Sequence, residues 1–262
     1  MIQTIRNAWK VPELRSKLLF TVFALLIFRL GSAIPVPFID TATLSQYMRA
    51  QSASIFTLLN VMSGDAFAQA TVFALSIQPY INSSIIIQLL TIAIPALERL
   101  QKEGGEEGKK KLAAITRYAT VAIALIQAFG YYTLINYYHF VAEGIWPAVV
   151  IITAFVAGSA FLMWLGEQIT EFGIGNGISI ILFAGIVARG PSMVATMYQG
   201  VSAWAAGATG ENVTLLHPLF IPLIIIGMLL LVAFIVFMDN SERRIPVQYA
   251  KRVVGRKMYG GQ

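Results

Sequence analysis

The sequence predicts an all-α fold: a polytopic membrane helix bundle of six transmembrane helices with one much shorter apolar helix beside them. Three observations carry this. Of 262 residues, 57% are apolar and 12% are charged, about half the roughly 25% charged share of a soluble domain. Apolar segments at 18–34, 72–97, 112–135, 146–165, 178–197 and 219–238 approach the roughly 20 residues that a bilayer-spanning helix needs. The 19 Lys and Arg residues fall almost entirely on alternate connections. A soluble fold of this length could not hide so much apolar surface, so soluble enzyme classes drop out first.

The first segment has two readings. A basic start, an apolar core and the small residues Gly31, Ser32 and Ala33 fit the outline of a cleavable secretory signal over 17–33. The Pro35-Val-Pro37 corner and five later spans favour an uncleaved helix. Arg29 lies about 8 Å from the outer end at helical rise, close enough for its stem to reach the headgroups.

Residues 52–65 follow, with an apolar core of about eight residues, far too short to cross a roughly 30 Å hydrocarbon layer. It is either a re-entrant segment packed against protein or an interfacial helix. The second span is unusually polar, with Gln78, Asn82, Ser83, Ser84, Gln88 and Thr91 besides Pro79. Ile77 and Ile81 are four apart and share one helical face, whereas Asn82 is turned about 100° from Ile81. Such a helix can face an opening on one side and a partner on the other, or it can simply pack through Ser and Asn.

Glu167 to Gly177 links spans four and five. Its glycines, Gly173, Gly175 and Gly177, lack the last glycine of a dinucleotide fingerprint, and no strand precedes them. A tight turn capping two helices fits better. In the fifth span, Arg189 stands before Gly190 and Pro191, where a helix is expected to bend.

Orientation follows from charge. Arg6, Lys10, Arg15 and Lys17 precede the first span; Arg99, Lys102, Lys109, Lys110, Lys111 and Arg117 surround the second connection; Arg243, Arg244, Lys251, Arg252, Arg256 and Lys257 fill the tail. Sixteen cations thus lie on one side and only Arg49 on the other. Because cytoplasmic connections collect Lys and Arg, both termini are expected in the cytoplasm. No Cys is present and the only imidazoles are His139 and His217, so no catalytic, metal or cofactor site is expected. Carboxylates sit mostly in loops, away from the midplane where an ion relay would need them.

Several long, ordered motifs resemble one family throughout the chain: Phe28-Arg-Leu-Gly31, Ile34-Pro-Val-Pro37, Ile77-Gln-Pro-Tyr-Ile-Asn-Ser-Ser-Ile-Ile-Ile-Gln-Leu-Leu90, Leu162-Met-Trp-Leu-Gly-Glu-Gln-Ile-Thr-Glu171, Gly173-Ile-Gly-Asn-Gly-Ile-Ser-Ile-Ile181 and Arg243-Arg-Ile-Pro-Val-Gln-Tyr-Ala-Lys-Arg252. The family is SecY, the channel subunit of bacterial protein translocons. The resemblance implies a channel of ten helices in two halves, opening across the membrane for secreted chains and sideways for membrane segments. It assigns Ile77, Ile81, Ile178 and Leu182 to an apolar pore ring. A plug is implied over 52–70, with Ile55, Phe56, Leu58, Leu59, Val61 and Met62 as its apolar residues. Asn82 and Gln127 become members of a lateral gate, and Arg243, Arg244, Lys251, Arg252, Arg256 and Lys257 a docking surface for the ribosome or the SecA motor. SecE-like and SecG-like subunits, translocating polypeptides and the lipid bilayer are the other implied partners, in the bacterial cytoplasmic membrane.

On this reading residues 1–17 form a cytoplasmic N-terminus, 18–197 a first-half bundle of five spans, 198–238 an outer connection and sixth span, and 239–262 a basic loop. The chain departs from the family pattern by stopping at Gln262, within the loop before a seventh helix. It is therefore expected to be an incomplete channel: a fragment, a truncated product or one half needing its complement. Two other classes stand beside this reading, a secondary transporter with a small solute near the midplane and a non-conducting scaffold.

Overall fold

The computed structural model describes residues 11–50, 55–205 and 218–242, with the backbone of 252–254 and 257–259. The chain divides into two compact units, Met1–Ser192 and Met193–Gln262.

In the first unit, α1 (Pro12–Gly31) starts on a proline whose missing N–H would be unpaired there anyway. Short helices α2 (Thr41–Ala50) and α3 (Ile55–Met62) follow. Then come α4 (Gln78–Ala93), α5 (Pro95–Lys102), α6 (Gly105–Tyr137), α7 (Ile145–Phe172), α8 (Gly177–Ala188) and the start of α9 (Gly190–Ala205). α4 packs on α6, α6 on α7, and α7 on α8 and α1. In the second unit, α10 (Phe220–Asp239) is apolar on every side and buries none of its residues, the pattern of a helix solvated by lipid.

Among the described residues, four stretches are long and apolar enough to cross a membrane: α6, α7, α8 with α9 (Gly177–Ala205), and α10; the bent pair α4 and α5, counted as one span, makes a fifth. α1 has 20 residues, but Arg15, Lys17 and Arg29 fall within every 18-residue stretch of it. The expected second span over 72–97 needs correction. Residues 72–77 are turns, α4 begins only at Gln78, and the chain bends by 101° between Ala93 and Pro95. Pro95 is the physical cause, since a residue before proline is driven out of the helical region, and Ile94 is extended at φ −110°, ψ 111°. The fourth span is longer than expected, reaching Phe172 and carrying Glu167 and Glu171 on its last turns.

The all-α expectation has one local exception. β1 (Arg252–Val254) and β2 (Lys257–Tyr259) pair antiparallel, with Arg252 opposite Tyr259 and Val254 opposite Lys257. Their β-branched and aromatic residues suit a strand.

The segment between α3 and α4 is irregular yet largely buried. Such backbone is tolerated at membrane depth only when its polar groups are paired within the protein, and many of them are. Val36 N–H donates to Ala70 O and Val72 N–H to Ile34 O, both at 3.0 Å. Ser63 Oγ accepts from Phe67 N–H at 3.0 Å, Asn60 Oδ1 accepts from Ala68 N–H at 2.9 Å, and the Tyr131 hydroxyl donates to Phe67 O.

Candidate functional site

α3 does not lie flat outside the helices. Its C-terminal end seats on α8 at Gly185. A Cβ at Gly185 would stand 2.6 Å from Met62 O, and one at Gly64 would stand 2.9 Å from Gly185 O. Both approaches require glycine, and Gly64 also has φ +66°. Around this seat, Asn60 is 8% and Ser63 1% exposed, while Leu58 points outward at 65%. Leu59, Val61 and Met62 are half-buried. The side chains of Ile55 and Phe56 lie outside the described residues.

One turn along α8 from that seat is an apolar girdle. Ile77 is fully buried in a cluster with Phe28, Phe73, Leu162, Leu165, Ile169 and Ile181, and Ile81, Ile178 and Leu182 pack against it. All four residues expected to form a ring therefore converge. Gly166 of α7 makes room for them: a Cβ there would lie 3.3 Å from both Ile77 Cδ1 and Ile178 Cγ1. Ile77 caps α4 rather than sitting within it, but the Ile81 N–H to Ile77 O bond of 3.2 Å preserves their four-residue relation. Ile181, fully buried, was not singled out from the sequence, because an Ile-Ile-Leu run shows no alternation from which to choose.

The polar face of α4 does two jobs. Ser83 and Thr120 hydroxyls share a 2.6 Å hydrogen bond to α6, which is interhelical packing. Asn82, next along, lines a cavity of about 360 Å³ with Gln78, Gln127, Leu59, Met62 and Tyr131. The two expected gate residues thus meet in one space, beside the end of α3.

At the opposite end of the girdle, Arg117 Nε donates to Glu167 Oε1 at 2.9 Å, joining α6 to α7. Asn176 caps α8, its Oδ1 accepting from Ile178 and Ser179 N–H. The turn expected between spans four and five is therefore present, shortened to Gly173–Asn176 by the longer α7.

Two charges far apart in the sequence, Asp65 and Arg189, are joined. Arg189 Nη2 stands 3.8 Å from Asp65 Oδ1, both side chains about one-third exposed. In the tail, Arg252 and Lys257 occupy opposing strands; Arg243, Arg244, Lys251 and Arg256 lie outside the described residues.

A family model described as SecY matches residues 71–262. Protein translocase subunit SecY of Vibrio cholerae is 42% identical over 99% of this chain and 57% of its own length. Its Escherichia coli counterpart is 43% identical over 95% of the chain and 55% of its length. The chain thus spans somewhat over half the length of these relatives. Among solved structures, one titled the structure of a protein conducting channel aligns at TM-score 0.61 and 20% identity, over 94% of this chain and 52% of that one. The channel in a canine ribosome-channel complex from the endoplasmic reticulum aligns at TM-score 0.59 and 20% identity, over 89% of this chain and 49% of its own. At that identity the likeness is one of fold.

Proposed function

The chain belongs to the SecY family, and on that premise we propose that it supplies the first half of a protein-conducting channel. This half contributes to passing secretory polypeptides across the cytoplasmic membrane and releasing hydrophobic segments sideways into it. It is a multi-pass membrane protein. The observation that carries the proposal is the convergence of Ile77, Ile81, Ile178 and Leu182, with the end of α3 about 4.5 Å further along α8 at helical rise.

The physical task is to pass a polar chain while excluding ions. Branched aliphatic side chains around a narrow opening do this because the space between them dewets when empty and they make few lasting contacts with a moving substrate. α3 acts as the plug that fills the remaining gap. Asn82 and Gln127 offer hydrogen bonds at the lateral gate, which a sufficiently apolar segment displaces as it leaves. Sideways release is then a partition: each central Leu or Ile gains about 0.3–0.6 kcal/mol, while one Arg or Asp costs about 2.5–3.5 kcal/mol. No catalytic residue is required.

The uneven division of Lys and Arg supports cytoplasmic placement of both termini. It also supports use of the tail, net +4 over residues 239–262, as a docking surface for the ribosome or the SecA motor. SecE-like and SecG-like subunits complete the assembly in this reading. The family match favours a channel over a small-solute transporter.

The test is complementation in cells depleted of their own SecY, expressing this chain with and without the C-terminal part of a relative that it does not cover. Export restored only by the pair is the expected result. Export absent from the pair, with both parts inserted in the membrane, would refute the channel role.

A further inference from the structure

An arginine within an apolar span calls for a named partner. Arg189 ends α8 inside the fifth apolar segment, and its partner is Asp65, three residues past the end of α3. Asp65 is itself tied to the short helix: Asn60 Nδ2 donates to Asp65 Oδ1 at 2.8 Å, and Gln69 Nε2 approaches Oδ2 at 3.5 Å. Asn60 in turn holds the Ala68 N–H. The carboxylate therefore gathers both ends of the turn that follows α3 and presents them to one guanidinium on α8.

A second observation lies on the same face of α8. Gly185 and Arg189 are four residues apart and so lie one above the other. Gly185 takes the backbone of Met62 and Gly64 in close approach, and Arg189 takes Asp65. The seat is thus held at two points one turn apart, one by shape and one by charge. Shape complementarity between two glycines resists sliding but provides little attraction. The ion pair, only about one-third exposed, supplies attraction that water screens incompletely.

We propose that Arg189 is a positioning residue which latches the α3 segment onto α8 through Asp65, and that breaking this pair is a step in moving the segment aside. The inference rests on reading α3 as a movable plug. It adds what holds the plug closed in this chain.

The chain lacks cysteine, so a single reporter can be introduced cleanly. Ser63→Cys, at a position 1% exposed beside the seat, is labelled by a water-soluble maleimide only when the seat separates. The full chain carrying this reporter is assayed in liposomes, alone and with Asp65→Asn, Arg189→Gln, both together, or Arg189→Lys. Asp65→Asn keeps the hydrogen-bonding shape and tolerates the φ of +78° at this position. The latch predicts labelling about fivefold faster in each neutralised variant. The double variant should be no faster than either single one, because both remove the same interaction, and Arg189→Lys should stay near the parent. Unchanged labelling in the single variants, or effects that multiply in the double variant, would overturn the latch. Because labelling is read without translocation, it can fail while export by the complemented channel survives, and the reverse.

Discussion

Gly177 begins α8 directly against the carbonyl oxygen of Gly166 in α7, so closely that a Cβ on Gly177 would overlap it. The girdle residue Ile178 follows immediately, and its position depends on this crossing. Gly177→Ala must push the helices apart, at a cost on the order of 1–3 kcal/mol. A lower unfolding temperature in detergent is expected. Gly130→Ala in α6, where an added Cβ meets nothing within 4 Å, serves as the contrasting variant and should gain about 0.5–1 kcal/mol of helix stability.

The Ser83–Thr120 bond joins two helices where water is scarce. Thr120 also donates to Thr116 O at 2.7 Å, and Ser83 Oγ lies 2.9 Å from Tyr80 O, so each hydroxyl retains a backbone acceptor if the other is lost. Ser83→Ala should therefore cost only about 0.6 kcal/mol, near the average for interhelical hydrogen bonds in membranes. Urea or thermal unfolding in matched detergent would measure it.

If the girdle seals against ions, a polar group within it should wet the opening. Ile81→Asn in the complemented channel is expected to raise resting ion conductance in planar bilayers, whereas Ile85→Asn, on an exposed position of the same helix, should not. Equal conductance from the two would argue against an apolar seal.

Reversing Arg252 and Arg256 to Glu should weaken ribosome or motor binding while membrane insertion continues. The salt dependence should also flatten, since fewer counterions are released on binding. Binding unchanged across a salt titration would remove the tail from the docking surface.

Asp40 precedes α2 and accepts from the Thr43 hydroxyl at 2.6 Å and from Thr43 N–H at 3.3 Å. The Thr43 hydroxyl, followed by the Thr43 N–H, holds this carboxyl below its ordinary value. A depressed folded value means the cap stabilises the helix above the ordinary carboxylate value, about 3.9, and loses that contribution as pH falls through the folded value. Hydrogen exchange at Thr43 should therefore show excess acceleration below about pH 4 relative to Asp40→Asn, which caps without titrating.

The sequence alone determined the membrane class and the positions of most apolar segments, because both follow from local composition, but not the break of the 72–97 stretch into turns, α4 and α5. Apolar segments of spanning length have few other fates, and Lys and Arg placement is written residue by residue. It also placed Ile77 and Ile81 on one helical face and Asn82 about 100° away from it, since that step needs no tertiary information. What only the tertiary structure decided was contact between distant segments. The pairing of Asp65 with Arg189, the seat of Met62 and Gly64 on Gly185, and the meeting of Asn82 with Gln127 in one cavity join residues that no periodicity connects. The buried, non-helical run before Gln78 was invisible for the same reason. Its backbone groups are satisfied by Ile34, Val36 and Tyr131, and a chain read segment by segment supplies no such partners.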